Sequence, residues 1–142
     1  MDWVLAGKLI YDAVLALSCV IAIRRGGTDE RVATAIVIGA TGATALVAPL
    51  MEAIGYIGRF GYFLVDAATL VAFDALMVRS RKFWPIWATG IQLAAVSLNI
   101  PMLLEPQLAH QFALIQGKFA YPILLSIVLG SLGHQSGKTE RA

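Results

Sequence analysis

Apolar residues occupy this chain in five long runs, residues 4–23, 32–54, 60–78, 83–104 and 112–132, separated by short polar intervals. Each run comes close to the roughly 20 residues that an α-helix needs to cross a bilayer's hydrocarbon core. None alternates as a barrel strand does, and backbone in lipid must satisfy its own hydrogen bonds, so the pattern predicts helices. The expected fold is all-α, a polytopic transmembrane bundle of five spans making a single integral membrane domain over residues 1–142. The only duplicated fragment, Gly39-Ala-Thr-Gly42-Ala-Thr44, is too short for a structural repeat.

The polar intervals give the bundle a direction. Arg24, Arg25 and Arg31 fall in the first interval, Arg79, Arg81 and Lys82 in the third, and Lys138 and Arg141 in the tail. Basic residues in short loops mark the cytoplasmic side, which puts the N-terminus outside and the C-terminus in the cytoplasm. Trp3, Trp84 and Trp87 fall near the expected interfaces, as an aromatic belt requires. Asp29 and Glu30 suit the start of the second helix, and Pro85 the first turn of the fourth. The outer stretch Gly55-Tyr-Ile-Gly58-Arg-Phe-Gly61 has a glycine every third residue and reads as a connection, either a close backbone approach or a flexible loop.

Composition agrees: 58% of the 142 residues are hydrophobic and 14% charged, and mean hydropathy is +0.75. The formal charge of +2 is spread along the borders of apolar runs and forms no continuous basic patch, which argues against nucleic-acid binding. Cys19 is the only cysteine, so an intrachain disulfide and a CxxC motif are both excluded. No basic segment precedes the first apolar run, so that run is expected to stay as a span rather than be removed as a signal peptide.

Charges inside the runs need local explanations, because an unpaired charge in lipid is costly. The expected topology brings Lys8, Asp12, Glu52, Asp66 and Lys118 into or near the outer half of the membrane, with Arg59 and Glu105 at its rim. Lys8 and Asp12 are one helical turn apart and can neutralise each other; Lys118 can snorkel to the interface. Pro49, Pro101 and Pro122 each free the carbonyl four residues earlier, at Ala45, Ser97 and Lys118. Charges and freed carbonyls together predict a hydrated polar pocket opening outward. Thr89, Gln92 and Asn99 share one face of the fourth helix, which should look into the bundle. Asp66 and Asp74, about 12 Å apart along a helix, are too distant to share a proton. They read either as stations of a proton or cation path or as members of separate ion pairs, Asp66 with Lys118 or Arg59 and Asp74 with Arg79 or Arg81.

Other chemistry is harder to support. Gly39 to Gly42 lie mid-run with no Lys-Ser/Thr following, so they do not cradle phosphate. Tyr11-Asp12 matches half of an intramembrane aspartyl-protease signature, but no Gly-x-Gly-Asp partner exists: Asp66 follows Leu64-Val65 and Asp74 follows Ala72-Phe73. His110 and His134 are expected on opposite sides of the membrane, so no shared metal site is expected, and no cofactor. Ala35, Gly39 and Ala43, widened by Gly42, form a small-residue stripe. It fits contact with another helix of the same chain, or a seam to a second copy or a larger membrane protein.

The segment Lys82-Phe-Trp-Pro-Ile-Trp87, with Gln92 and the later Tyr121-Pro122-Ile-Leu-Leu run, resembles small multispan inner-membrane proteins of alphaproteobacteria. The resemblance covers the last two spans and implies a bacterial inner membrane but no activity. The leading expectation is a non-enzymatic accessory or interaction subunit embedded in the lipid bilayer, with an outward pocket for a ligand. The alternative is a small proton- or cation-coupled transporter or channel using Asp66 and Asp74. No nucleophile-base or metal constellation favours an enzyme.

Overall fold

The computed structural model describes the backbone of residues 3–54, 56–105, 107, 115 and 117–139, with side-chain surroundings undescribed at 3–5, 50–52, 54, 56–58, 117 and 134–139. The described residues form five α-helices: α1 Trp3–Arg25, α2 Thr28–Ile54, α3 Tyr56–Arg79, α4 Trp84–Leu104 and α5 Ala120–Thr139, the last preceded by a 3-10 turn, Gly117–Phe119. Each helix packs on the next, and α5 returns to α1, so the five close into a ring with α5 also touching α2.

Four helices, over Ala6–Arg25, Thr28–Pro49, Arg59–Arg79 and Trp84–Leu104, are long and apolar enough to cross a membrane. Their large apolar side chains point mainly outward: Leu46 is 78% exposed and Val78 77%. Glu30, Thr34, Gln92, Asn99 and Ser131 are buried instead. Apolar groups outside and hydrogen-bonded polar groups inside suit a lipid solvent, since burying oil against oil gains nothing there. Hydroxyls avoid orphaning by turning back on their own helix: Thr34 donates to the Glu30 carbonyl, Thr69 to Val65 and Ser131 to Ile127, at 2.7–2.8 Å.

Several boundaries differ from those read along the chain. The α2 helix starts at Thr28, not 32, because the Gly27 carbonyl already accepts the Arg31 N–H. Residues 56–61 are the first turns of α3 rather than a connection. Gly61 does serve a close approach: a Cβ there would lie 2.8 Å from a Val47 methyl of α2. The fifth apolar run begins its described helix at Ala120, and its described apolar part, Ala120–Gly133, is shorter than a span. Lys118 thus lies in the preceding turn. Pro122 is the third residue of α5, where the backbone N–H has no intrahelical partner anyway, so it frees no carbonyl.

One end of the bundle is locked by polar contacts between the two Arg-bearing intervals. Gly27 is the N-cap of α2, and Glu30, at the third helical position, accepts the Gly27 N–H at 2.8 Å, one half of a capping box. The same carboxylate, 0% exposed, accepts from Lys82 Nζ at 2.7 Å to each oxygen and from Trp84 Nε1 at 2.9 Å. Beside it Ser80 Oγ donates to Asp29 Oδ2 at 2.7 Å. Trp84 is therefore buried at this lock and is not part of an aromatic belt, whereas Trp87 is exposed and meets Phe83 edge-on.

Candidate functional site

Toward the opposite end, a cavity of about 690 Å³ is walled by residues of all five helices. Each wall follows a helical spacing that puts its members on one face. On α3 Tyr62, Asp66, Thr69 and Phe73 are separated by four, three and four residues; on α2 Val37, Ala40, Thr41 and Thr44 do the same work. Gly7, Lys8 and Tyr11 come from α1, Gln92, Ala95 and Met102 from α4, and Lys118 through Tyr121 and Ile123 from the 3-10 turn and α5. Along α3, Tyr62 to Phe73 spans about 16 Å of helical rise, a measure of the cavity's depth.

Asp66 is the organised charge in this wall. Asn99 Nδ2 donates to its Oδ2 at 2.7 Å, and Gln92 Nε2 lies 3.2 Å from its carbonyl and 3.5 Å from its Oδ1. Gln92 and Asn99 are both buried. Two amides of α4 thus aim donors at Asp66. Replacing Asp66 by leucine takes the carboxylate acceptor from the buried Asn99 amide, while Gln92 keeps the residue-66 backbone carbonyl; a stability loss of about 1–3 kcal/mol is expected, against less than half that for Asp66→Asn, read from thermal unfolding in mild detergent.

The upper wall adds hydroxyls. Tyr11 and Thr41 hydroxyls lie 3.2 Å apart in a hydrogen bond that ties α1 to α2, and Tyr11 meets the Tyr121 ring edge-on with centroids 5.9 Å apart. These residues, with Thr44, Tyr62 and Phe119, were absent from the candidate set read from the sequence. The spacing of Tyr62 and Thr69 around Asp66, and of Tyr11 one turn from Lys8, was visible in the chain, but tyrosine and threonine carry no cost in lipid that draws the eye as a charge does.

The structure divides the candidate residues. Lys8, Asp66, Gln92 and Lys118 line the cavity, and Asn99 joins through Asp66. Asp12 is exposed and outside the lining, and Lys8 and Asp12 form no ion pair. Lys118 forms no ion pair with Asp66, whose Oδ2 accepts from Asn99. Asp74 is exposed, forms no ion pair with Arg79 or Arg81, and does not line the cavity wall that holds Asp66. Arg59 is half-buried in the first turn of α3 and does not line the cavity. Glu52 has its side chain outside the described residues, as does His134, and His110 is outside them altogether. Thr89 is buried on the Gln92 face without reaching the cavity.

Among the described residues, the small-residue stripe is left largely unpacked. Ala35, Gly39 and Gly42 are exposed, Ala43 is half-buried, and a Cβ added at Gly39 or Gly42 meets nothing within 4 Å. The reason is competition between two faces of α2: Val37, Thr41 and Thr44 turn inward to the cavity, which turns the stripe out. Among the described residues no three His, Cys, Asp or Glu side chains come together as metal ligands. Comparison with family models, curated proteins and solved structures finds no match to this chain.

Proposed function

We propose that this chain is a non-enzymatic accessory subunit of a bacterial inner membrane that holds a small amphipathic ligand in the cavity between its five helices. The observation that carries this reading is the cavity itself: about 690 Å³, within the range of small-molecule sites, mostly apolar, with a few convergent polar groups around Asp66. In this reading all five helices traverse the membrane, α5 together with the turn before it. The locked end carries the Arg-rich intervals and faces the cytoplasm, the N-terminus is outside, and the cavity opens outward. The resemblance of the last two spans to alphaproteobacterial proteins supports the choice of membrane. The outward stripe Ala35/Gly39/Gly42 supports association with a second copy or a larger membrane protein, since small residues let helices approach closely.

Transport through Asp66 and Asp74 has less support, because the two carboxylates face different surroundings. The test is isolation of the full chain from its native membrane in mild detergent, with mass spectrometry of bound small molecules and proteins. A stoichiometric small molecule is expected, lost in an Ala95→Trp variant that fills the cavity and keeps its helical content and monodispersity. The same molecule retained by the filled variant, or none in either, would overturn the reading.

A further inference from the structure

The charges at the cavity rim narrow what it can take. Lys8 from α1 and Lys118 from the 3-10 turn line the same cavity and are exposed, and among the described residues neither makes an ion pair. Asp66 differs, since amides of α4 already occupy its carboxylate. Two ammonium groups against one carboxylate leave the described lining one positive charge in excess, and the unanswered charge is at the mouth. Between these charges the walls include Val37, Phe73, Ala95, Met102 and Ile123, an apolar surface set among the hydroxyls of Thr41 and Thr69 and the Gln92 amide. Low-dielectric walls around like-signed charges focus the field, so an anion is drawn to the mouth and a cation is repelled before it reaches Asp66.

Resting on the reading of the cavity as a ligand site, we infer that its ligand is an amphiphilic anion. A carboxylate or phosphate sits at the mouth between Lys8 and Lys118, and an alkyl or aryl body fills the space toward Phe73. Lysine suits this role as a compact point charge on a flexible stem, able to follow either head group. Two sources supply such a molecule, the phospholipid of the surrounding bilayer and a free single-chain organic acid.

The experiment titrates the purified full chain in dodecyl maltoside with oleate, dioleoyl phosphatidylglycerol and, as an uncharged match, oleyl alcohol, counting adducts by native mass spectrometry. One anion per chain is expected, bound about ten-fold tighter than the alcohol, with Lys8→Gln and Lys118→Gln each weakening the anion about five- to ten-fold and leaving the alcohol unchanged. Preference for oleate identifies a free acid and preference for phosphatidylglycerol a membrane lipid; both support the inference. Anions binding no tighter than the alcohol, or insensitive to both lysine variants, overturn it. Ala95→Trp separates the two levels: alcohol binding lost in that variant without any anion preference sinks only the charged head, whereas binding unchanged by it sinks the cavity reading as well.

Discussion

Glu30→Ala is expected to lower the stability of the bundle by about 3–5 kcal/mol, the largest effect of any single change considered. The reason is the number of groups that converge on one fully buried carboxylate: the Lys82 ammonium, the Trp84 indole N–H and the Gly27 backbone N–H. Truncation leaves all three donors without that acceptor, and each buried donor so stranded costs roughly 1–3 kcal/mol. Lys82 is 30% exposed and recovers part of its hydration, which keeps the total at the stated figure rather than the sum. The change also opens the cap of α2 and the tie between the α1–α2 and α3–α4 intervals. Thermal or denaturant unfolding in mild detergent, followed by circular dichroism, measures it. Lys82→Met alone should cost less, and the double change Glu30→Ala with Lys82→Met should cost clearly less than the sum of the two single changes, since neither charge is then stranded. Additive losses would show that the pair is not coupled.

Gly130→Ala is expected to cost about 1–3 kcal/mol, although glycine to alanine inside a helix ordinarily stabilises by roughly 0.5–1 kcal/mol. A Cβ at Gly130 would be built into the Trp84 indole, touching Cδ1 and lying 2.6 Å from Nε1. That ring cannot simply rotate away, because it is buried and its N–H is committed to Glu30. Gly133→Ala, three residues further along α5, meets nothing within 4 Å and serves as the control. Opposite signs for the two variants in the same unfolding assay are the expected result; equal stabilisation would mean that α5 does not press on Trp84.

These two effects share one locus, and it explains what the chain did and did not disclose. Glu30 and Lys82 are 52 positions apart in the chain, each beside an apolar run, where a charge reads as a boundary marker. Nothing local distinguishes a carboxylate that caps its own helix from one that also receives an ammonium and an indole from two other segments. The same holds for Trp84 and Trp87: three residues apart, both near a helix start, one is buried in the lock and one is exposed. Asp66 gave a partial signal, since a charge inside an apolar run demands a partner, and Gln92 and Asn99 a heptad apart on one face were the partners available.

What the sequence by itself determined is the class of object: apolar runs of membrane-crossing length force helices, because lipid offers the backbone no other donor or acceptor. It also determined which ends of those helices carry the basic residues. Only the tertiary structure decided which face of each helix looks inward. On α2 the threonine face and the small-residue face were both eligible, and the inward choice of Val37, Thr41 and Thr44 left Gly39 and Gly42 outside. Helical period fixes which residues share a face, but the rotation of that face depends on every neighbour in the closed ring at once. That rotation is what brings Lys8, Asp66 and Lys118, from three separate elements, around one cavity and leaves Asp12 and Asp74 on its exterior.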